Sequence, residues 1–108
     1  MKIISFHEST VVQFYVERNT ALLLLEGVTT DSLSDKVQIV IDNFSTFLVD
    51  GVVHEDLFFM PFSDGEVLVL ELNDDGYYML IEWNDFSTHT SFIQEYEFKT
   101  GKINTLIL

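Results

Sequence analysis

Runs in which apolar and polar residues alternate at every second position recur along this chain, and that period belongs to β-strands, whose side chains point to opposite faces in turn. The clearest is EVLVLELNDDGYYMLIEW, Glu66 to Trp83. An Asp-Gly pair between two such runs signals a hairpin, because both residues tolerate the positive φ of a type I′ turn. With the turn at Asp75-Gly76, Asp74 faces Tyr77, and Leu72, Leu70 and Leu68 are expected opposite Met79, Ile81 and Trp83. Those six side chains would share a core face, leaving Val69, Glu71, Asn73, Tyr78, Leu80 and Glu82 on the other.

The same period predicts strands at Ile3 to Phe6, Val11 to Glu17 and Lys36 to Phe44. Thr20 to Val28 reads as a strand buried on both faces through its Leu22 to Leu25 run, with a helix as the rival that Gly27 and the flanking threonines disfavour. Turns are expected at Arg18-Asn19, at Asp50-Gly51 and at Thr100-Gly101, the last folding Ser91 to Leu108 into a hairpin with Phe98 opposite Ile103 and Tyr96 opposite Thr105. Pro61 cannot donate to a ladder, so the chain should leave the sheet near Met60. The stretch NDFSTHTS after Trp83 reads as a loop. About eight strands built from hairpins, with no long amphipathic helix, predict an all-β, mainly antiparallel single domain over residues 1–108, a β-sandwich or partly open barrel.

Composition agrees with a folded domain: 108 residues suffice for a core without staples, and 47% are hydrophobic. With no cysteine, disulfides and thiolate metal sites are excluded. The longest apolar runs fall far short of the roughly 20 residues that span a bilayer. Ile3-Ile4 after Lys2 is too short for a signal-peptide core, so a cytoplasmic protein is expected.

Charge changes the picture more. Eighteen acids against five bases give a net charge of −13, and all five bases lie towards the ends: Lys2, Arg18, Lys36, Lys99 and Lys102. Between Val37 and Phe98 stand thirteen acids and no Lys or Arg, so the whole excess sits in one central stretch. Nucleic acid is excluded as a partner there, since phosphate affinity comes from Lys and Arg. Self-repulsion at this density destabilises a compact chain, and a basic partner would relieve it.

Candidate chemistry is sparse. Glu71-x-Asn73-x-Asp75-Gly76 with Glu82 has the spacing of an EF-hand loop, but Glu stands at the first position, Met79 at another ligand position, and the flanks read as strands. His7, His54 and His89 carry no metal-binding spacing. Ser, His and Asp occur without a nucleophile elbow, and carboxylate pairs such as Asp74-Asp75 fall on a turn. No cofactor, metal or catalytic residue is assigned, and no enzymatic activity is expected.

In its small size, acidity, aromatic content, lack of cysteine and strand-rich stretches such as TALLLLEGV and DKVQIVIDNFSTFLVDG, the chain resembles bacterial toxin-immunity proteins of the contact-dependent growth inhibition or colicin kind. The resemblance implies a cytoplasmic, non-enzymatic inhibitor of one cognate toxin, often a basic nuclease domain; a monomer or a 1:1 heterodimer with that toxin is expected. The expected binding residues are Asp74, Asp75 and Tyr77 at the hairpin tip, Tyr78 and Glu82 on its outer face, and Glu95 and Glu97 on the last hairpin, all away from the face of Leu70, Met79 and Ile81. Two other readings stay open: a nucleic-acid mimic that inhibits DNA-binding enzymes, and a small-ligand module, which would need a roomy apolar cavity.

Overall fold

Tight turns set the ladders. Asp50 and Gly51 have φ of 52° and 80°, both positive as a type I′ turn requires, and they join β6 (Thr46–Val49) to β7 (Val52–Val53). Arg18-Asn19 joins β2 (Thr10–Glu17) to β3 (Thr20–Glu26), where Asn19 Nδ2 donates to the Phe44 carbonyl at 3.1 Å and ties the turn to the chain after β5 (Val37–Asp42). The computed structural model describes residues 4–30, 36–73 and 76–108. The other strands within them are β1 (Ile4–Ser5), β4 (Thr29–Thr30), β8 (Phe58–Phe59), β9 (Asp64–Asn73), β10 (Gly76–Asp85), β11 (Thr90–Lys99) and β12 (Lys102–Ile107). Every pairing is antiparallel, and the protein is all-β.

One long sheet runs β12-β5-β3-β2-β9-β10-β11-β6-β7, with β8 on β2 and β1-β4 as a separate pair. It doubles over into two layers at the β2–β9 step, where β2 pairs only Thr10 with Glu66 and backbone bonds of Glu8 and Ser9 to Val67 extend the link, and it does not close into a barrel. Between the layers Val11, Phe14, Leu23 and Ile39 from one side meet Val67, Ile81, Trp83 and Tyr96 from the other, all nearly inaccessible to water. Phe14 meets Tyr96 edge-on at 5.0 Å, and Phe47 stacks on Phe98 at 4.8 Å. Such pairs add to what burial alone contributes. Trp83 Nε1 donates to Tyr96 Oη at 2.8 Å, giving the buried indole its acceptor. Burial pushes the Tyr96 phenol above the ordinary tyrosine range; the bond from Trp83 opposes that and the charge of Asp50 adds to it.

Several sequence expectations need correction. The central hairpin pairs Asn73 with Gly76, Leu72 with Tyr77 and Leu70 with Met79, two residues displaced from the expected register. Gly76 is used in the ladder instead of at the turn: at φ +151°, a Cβ there would run into the Phe98 carbonyl oxygen. A bulge then leaves Leu68 unpaired between Val69 and Val67, so Val67 and Gly65, not Leu68, stand opposite Ile81 and Trp83. The last hairpin does not form. β11 pairs with β10 and β6, whereas β12 crosses to the other layer and pairs with β5, Lys102 opposite Asp42 and Ile107 opposite Val37. Finally, β10 continues to Asp85 and β11 resumes at Thr90, so the loop after Trp83 shrinks to residues 86–89. Asp85 Oδ1 accepts from Ser87 N at 3.0 Å and Ser87 Oγ at 2.6 Å, and bonds from Ser87 and Thr88 hold that carboxyl below its usual range.

The Leu22 to Leu25 run is buried mainly on one side: Ala21, Leu23 and Leu25 are inside, Leu22 and Leu24 half-buried outside. A bulge at Val12 similarly turns Val11, Phe14 and Val16 to the core together.

Candidate functional site

The two outer faces differ in chemistry, and the pairing registers show how. On the β2-β3-β5 layer, Tyr15, Leu22, Val40 and Asn104 form one cross-strand row, with Gln13, Leu24, Gln38 and Leu106 in the next. Its charges are balanced locally: Lys36 Nζ lies 3.3 Å from Glu26, and Lys102 stands opposite Asp42.

The outer face of β9-β10-β11 is acidic. Tyr78 lies between Glu71 and Glu97, Leu80 between Val69 and Glu95, Glu82 between Glu66 and Ile93, and Asn84 between Asp64 and Ser91. Tyr78 Oη donates to Glu95 Oε2 at 2.8 Å. That bond raises the Tyr78 pKa first; loss of water and the charges of Glu95, Glu97 and Glu71 raise it further. Asn84 donates to Asp64 at 2.7 Å, and Lys99 lies 3.4 Å from Glu97. Glu66 and Glu82 face each other directly, a like-charge pair that costs stability.

Tyr78, Glu82, Glu95 and Glu97 are thus brought onto one face. Tyr77 is not among them: it shares the inner side with Leu70 and Met79, and its hydroxyl donates to the Gly101 carbonyl at 3.2 Å. Asp74 and Asp75 lie outside the described residues. Sequence reasoning missed Glu66, which alternation puts on the core side; the Leu68 bulge reverses that. Glu71 stands on the outer face in the sequence reading too, by parity with Val69, but is not among the expected binding residues.

The EF-hand spacing does not make a loop here. Glu71 faces Tyr78, and Glu82 lies four residues beyond Tyr78, about 13 Å at strand rise. His7, His54 and His89 sit on different segments: His7 Nδ1 contacts the Leu68 carbonyl at 2.8 Å, His54 packs edge-on against Phe47 and Phe58, and His89 is on the β10–β11 loop. Among the described residues no group of three or more His, Asp or Glu is placed to hold a metal ion.

The cavity between the layers, lined by Phe14, Leu23, Ile39, Tyr77, Met79 and Phe98, measures about 10 Å³, room for at most one water and none for an organic ligand. An open cleft of about 310 Å³ at one end runs past Arg18, Ser45 and His54 over Phe44 and Phe47, and none of the expected binding residues lines it. Among the described residues no helix is long and apolar enough to cross a membrane. Set against family models, curated proteins and solved structures, the chain matches none.

Proposed function

We propose that the outer face of β9-β10-β11 docks a basic protein, and that the chain is a non-enzymatic inhibitor of the toxin-immunity kind, neutralising one cognate basic toxin such as a nuclease domain in the cytoplasm. The observation that carries this reading is the gathering of Glu66, Glu71, Glu82, Glu95 and Glu97 around Tyr78 and Leu80, with Lys99 as the cation on that face. Apolar and aromatic groups ringed by charge are how specific interfaces combine anchoring with steering. A cationic surface would also relieve the Glu66–Glu82 repulsion. The inter-layer cavity disfavours the small-ligand alternative, because it is too small for one.

The test is co-purification with the product of the adjacent gene, followed by association kinetics at two salt concentrations. The parent should associate faster at low salt, Glu82→Lys should slow association about tenfold, and Lys36→Glu, on the opposite layer, should leave it unchanged. If both variants behave like the parent, or only Lys36→Glu fails, the acidic face is not the docking surface.

A further inference from the structure

β12 ends one side of the sheet, and pairing with β5 uses only half of its backbone groups. Leu108 N donates to the Lys36 carbonyl at 2.9 Å, which fixes the phase of the ladder. Counting back in twos, Leu106, Asn104 and Lys102 turn their N–H and C=O towards β5, and Ile103, Thr105 and Ile107 turn theirs away. Among the described residues no strand pairs with that outer side. Sheet edges are commonly blunted by short strands, prolines, bulges or charges. The opposite edge, β7, is two residues long. β12 has six residues, an unbroken register, no proline, and Lys102 as its only charge. Ile103 and Ile107 are only partly covered, and Leu106 and Leu108 are 55% and 48% exposed.

We propose that β12 pairs with β12 of a second copy, antiparallel about a twofold axis at Thr105, so that two sandwiches share one continuous sheet. The sequence of the edge is complementary to itself in that register. Thr105 faces Thr105, and Ile103 faces the second copy's Ile107. All three outward-bonding residues fall in closely spaced pairs, which exchange two hydrogen bonds each. The side chains match as well, Thr against Thr and Ile against Ile, both favourable cross-strand pairs. Displacing the register leaves an outward-bonding isoleucine of each copy unpaired.

Charge selects the same approach. A second copy meets a net charge of −13, yet the edge belongs to the layer where Lys36 and Lys102 are offset by Glu26 and Asp42. Edge pairing is therefore the approach that keeps the two acidic faces apart. It also leaves each of them open, so the dimer would carry two docking faces.

The chain has no cysteine, which makes a single introduced one a clean reporter. Thr105→Cys would meet its counterpart at a Cα separation of about 5.5 Å for a closely spaced pair, inside the range a disulfide accepts. Under mild oxidation it should become a covalent dimer well ahead of Thr88→Cys, a control on the distant β10–β11 loop. In sedimentation at physiological salt, the parent should shift with concentration from 12.5 kDa towards twice that mass. Thr105→Pro, which removes an outward N–H without touching the β5 ladder, should stay monomeric with an unchanged circular dichroism spectrum. A parent that stays monomeric, a Thr105→Pro variant that still dimerises, or equal crosslinking of the two cysteine variants would overturn the proposal. Should the proline variant fail to fold, the cysteine comparison decides.

Discussion

Gly65 on β9 stands opposite Trp83, and its substitution by alanine sets a gain against a larger loss. The structure gives Gly65 no positive φ, so the new methyl group would meet no backbone strain, and narrowing the unfolded ensemble would stabilise by about 0.4–1 kcal/mol. The space is the obstacle. An added Cβ would lie 2.6 Å from Trp83 Cε3, closer still to Cζ3, and 3.2 Å from Ile81 Cγ2. The indole cannot yield freely, because it is fully buried and its Nε1 is bonded to Tyr96. Overpacking of this kind costs about 1–3 kcal/mol. With contacts this close the cost falls in the upper half of that range, about 2–3 kcal/mol. The net loss is then about 1–2.6 kcal/mol, a fall in melting temperature of roughly 5–15 °C for a domain this size. Thermal and urea denaturation would measure it, with the fluorescence of the lone tryptophan as a local probe. Trp83→Phe should cost less in the alanine background than alone, with a coupling of about 0.5–3 kcal/mol. A Gly65→Ala protein as stable as the parent, or additive behaviour of the pair, would refute the steric argument.

Tyr96→Phe should destabilise by about 1–3 kcal/mol in urea titrations, since it strips the buried Trp83 Nε1 of its acceptor. The raised pKa of Tyr78 means that its contribution to stability is complete below the unfolded tyrosine value of about 10 and is lost as pH rises through the folded value. Glu95→Gln should move the Tyr78 titration, followed by phenolate absorbance, back towards the ordinary range; no movement would show that Glu95 is not what raises it. The association kinetics of Glu82→Lys and the crosslinking of Thr105→Cys, given above, complete the set.

How much of this was legible in the sequence divides by distance along the chain. Asp50-Gly51 and Arg18-Asn19 encode their turns locally, and the alternation of Val37, Ile39 and Ile41 already named a core face. Alternation fails where one residue is inserted: neither Val12 nor Leu68 differs in type from its neighbours, yet each bulge shifts which side chains on its strand face inward. Nor does a strand's pattern say which strand it joins. Thr100-Gly101 looks like a hairpin turn, and Thr100 does adopt φ 58°, but the turn carries the chain from one layer to the other. Most of the acidic face was visible for the same reasons: Glu71, Glu82, Glu95 and Glu97 follow from parity within β9, β10 and β11, while Glu66 depends on a bulge and Tyr77 goes to the inside.

The crossing of β12 to β5 bears on the order in which the chain can fold. β9, β10 and β11 pair with their sequence neighbours, so their ladders can zip from their turns. Lys102 and Asp42 at one end of the β5–β12 ladder, and Ile107 and Val37 at the other, are more than half the chain apart. Closing so long a loop costs entropy before any contact repays it, which places such pairings among the slow steps of folding. Until that closure, VQIVID of β5 presents an apolar strand with one edge unpaired, the kind of surface that promotes aggregation of folding intermediates. The hazard would be greatest on the ribosome, where β5 emerges well before the strand that covers it has been synthesised.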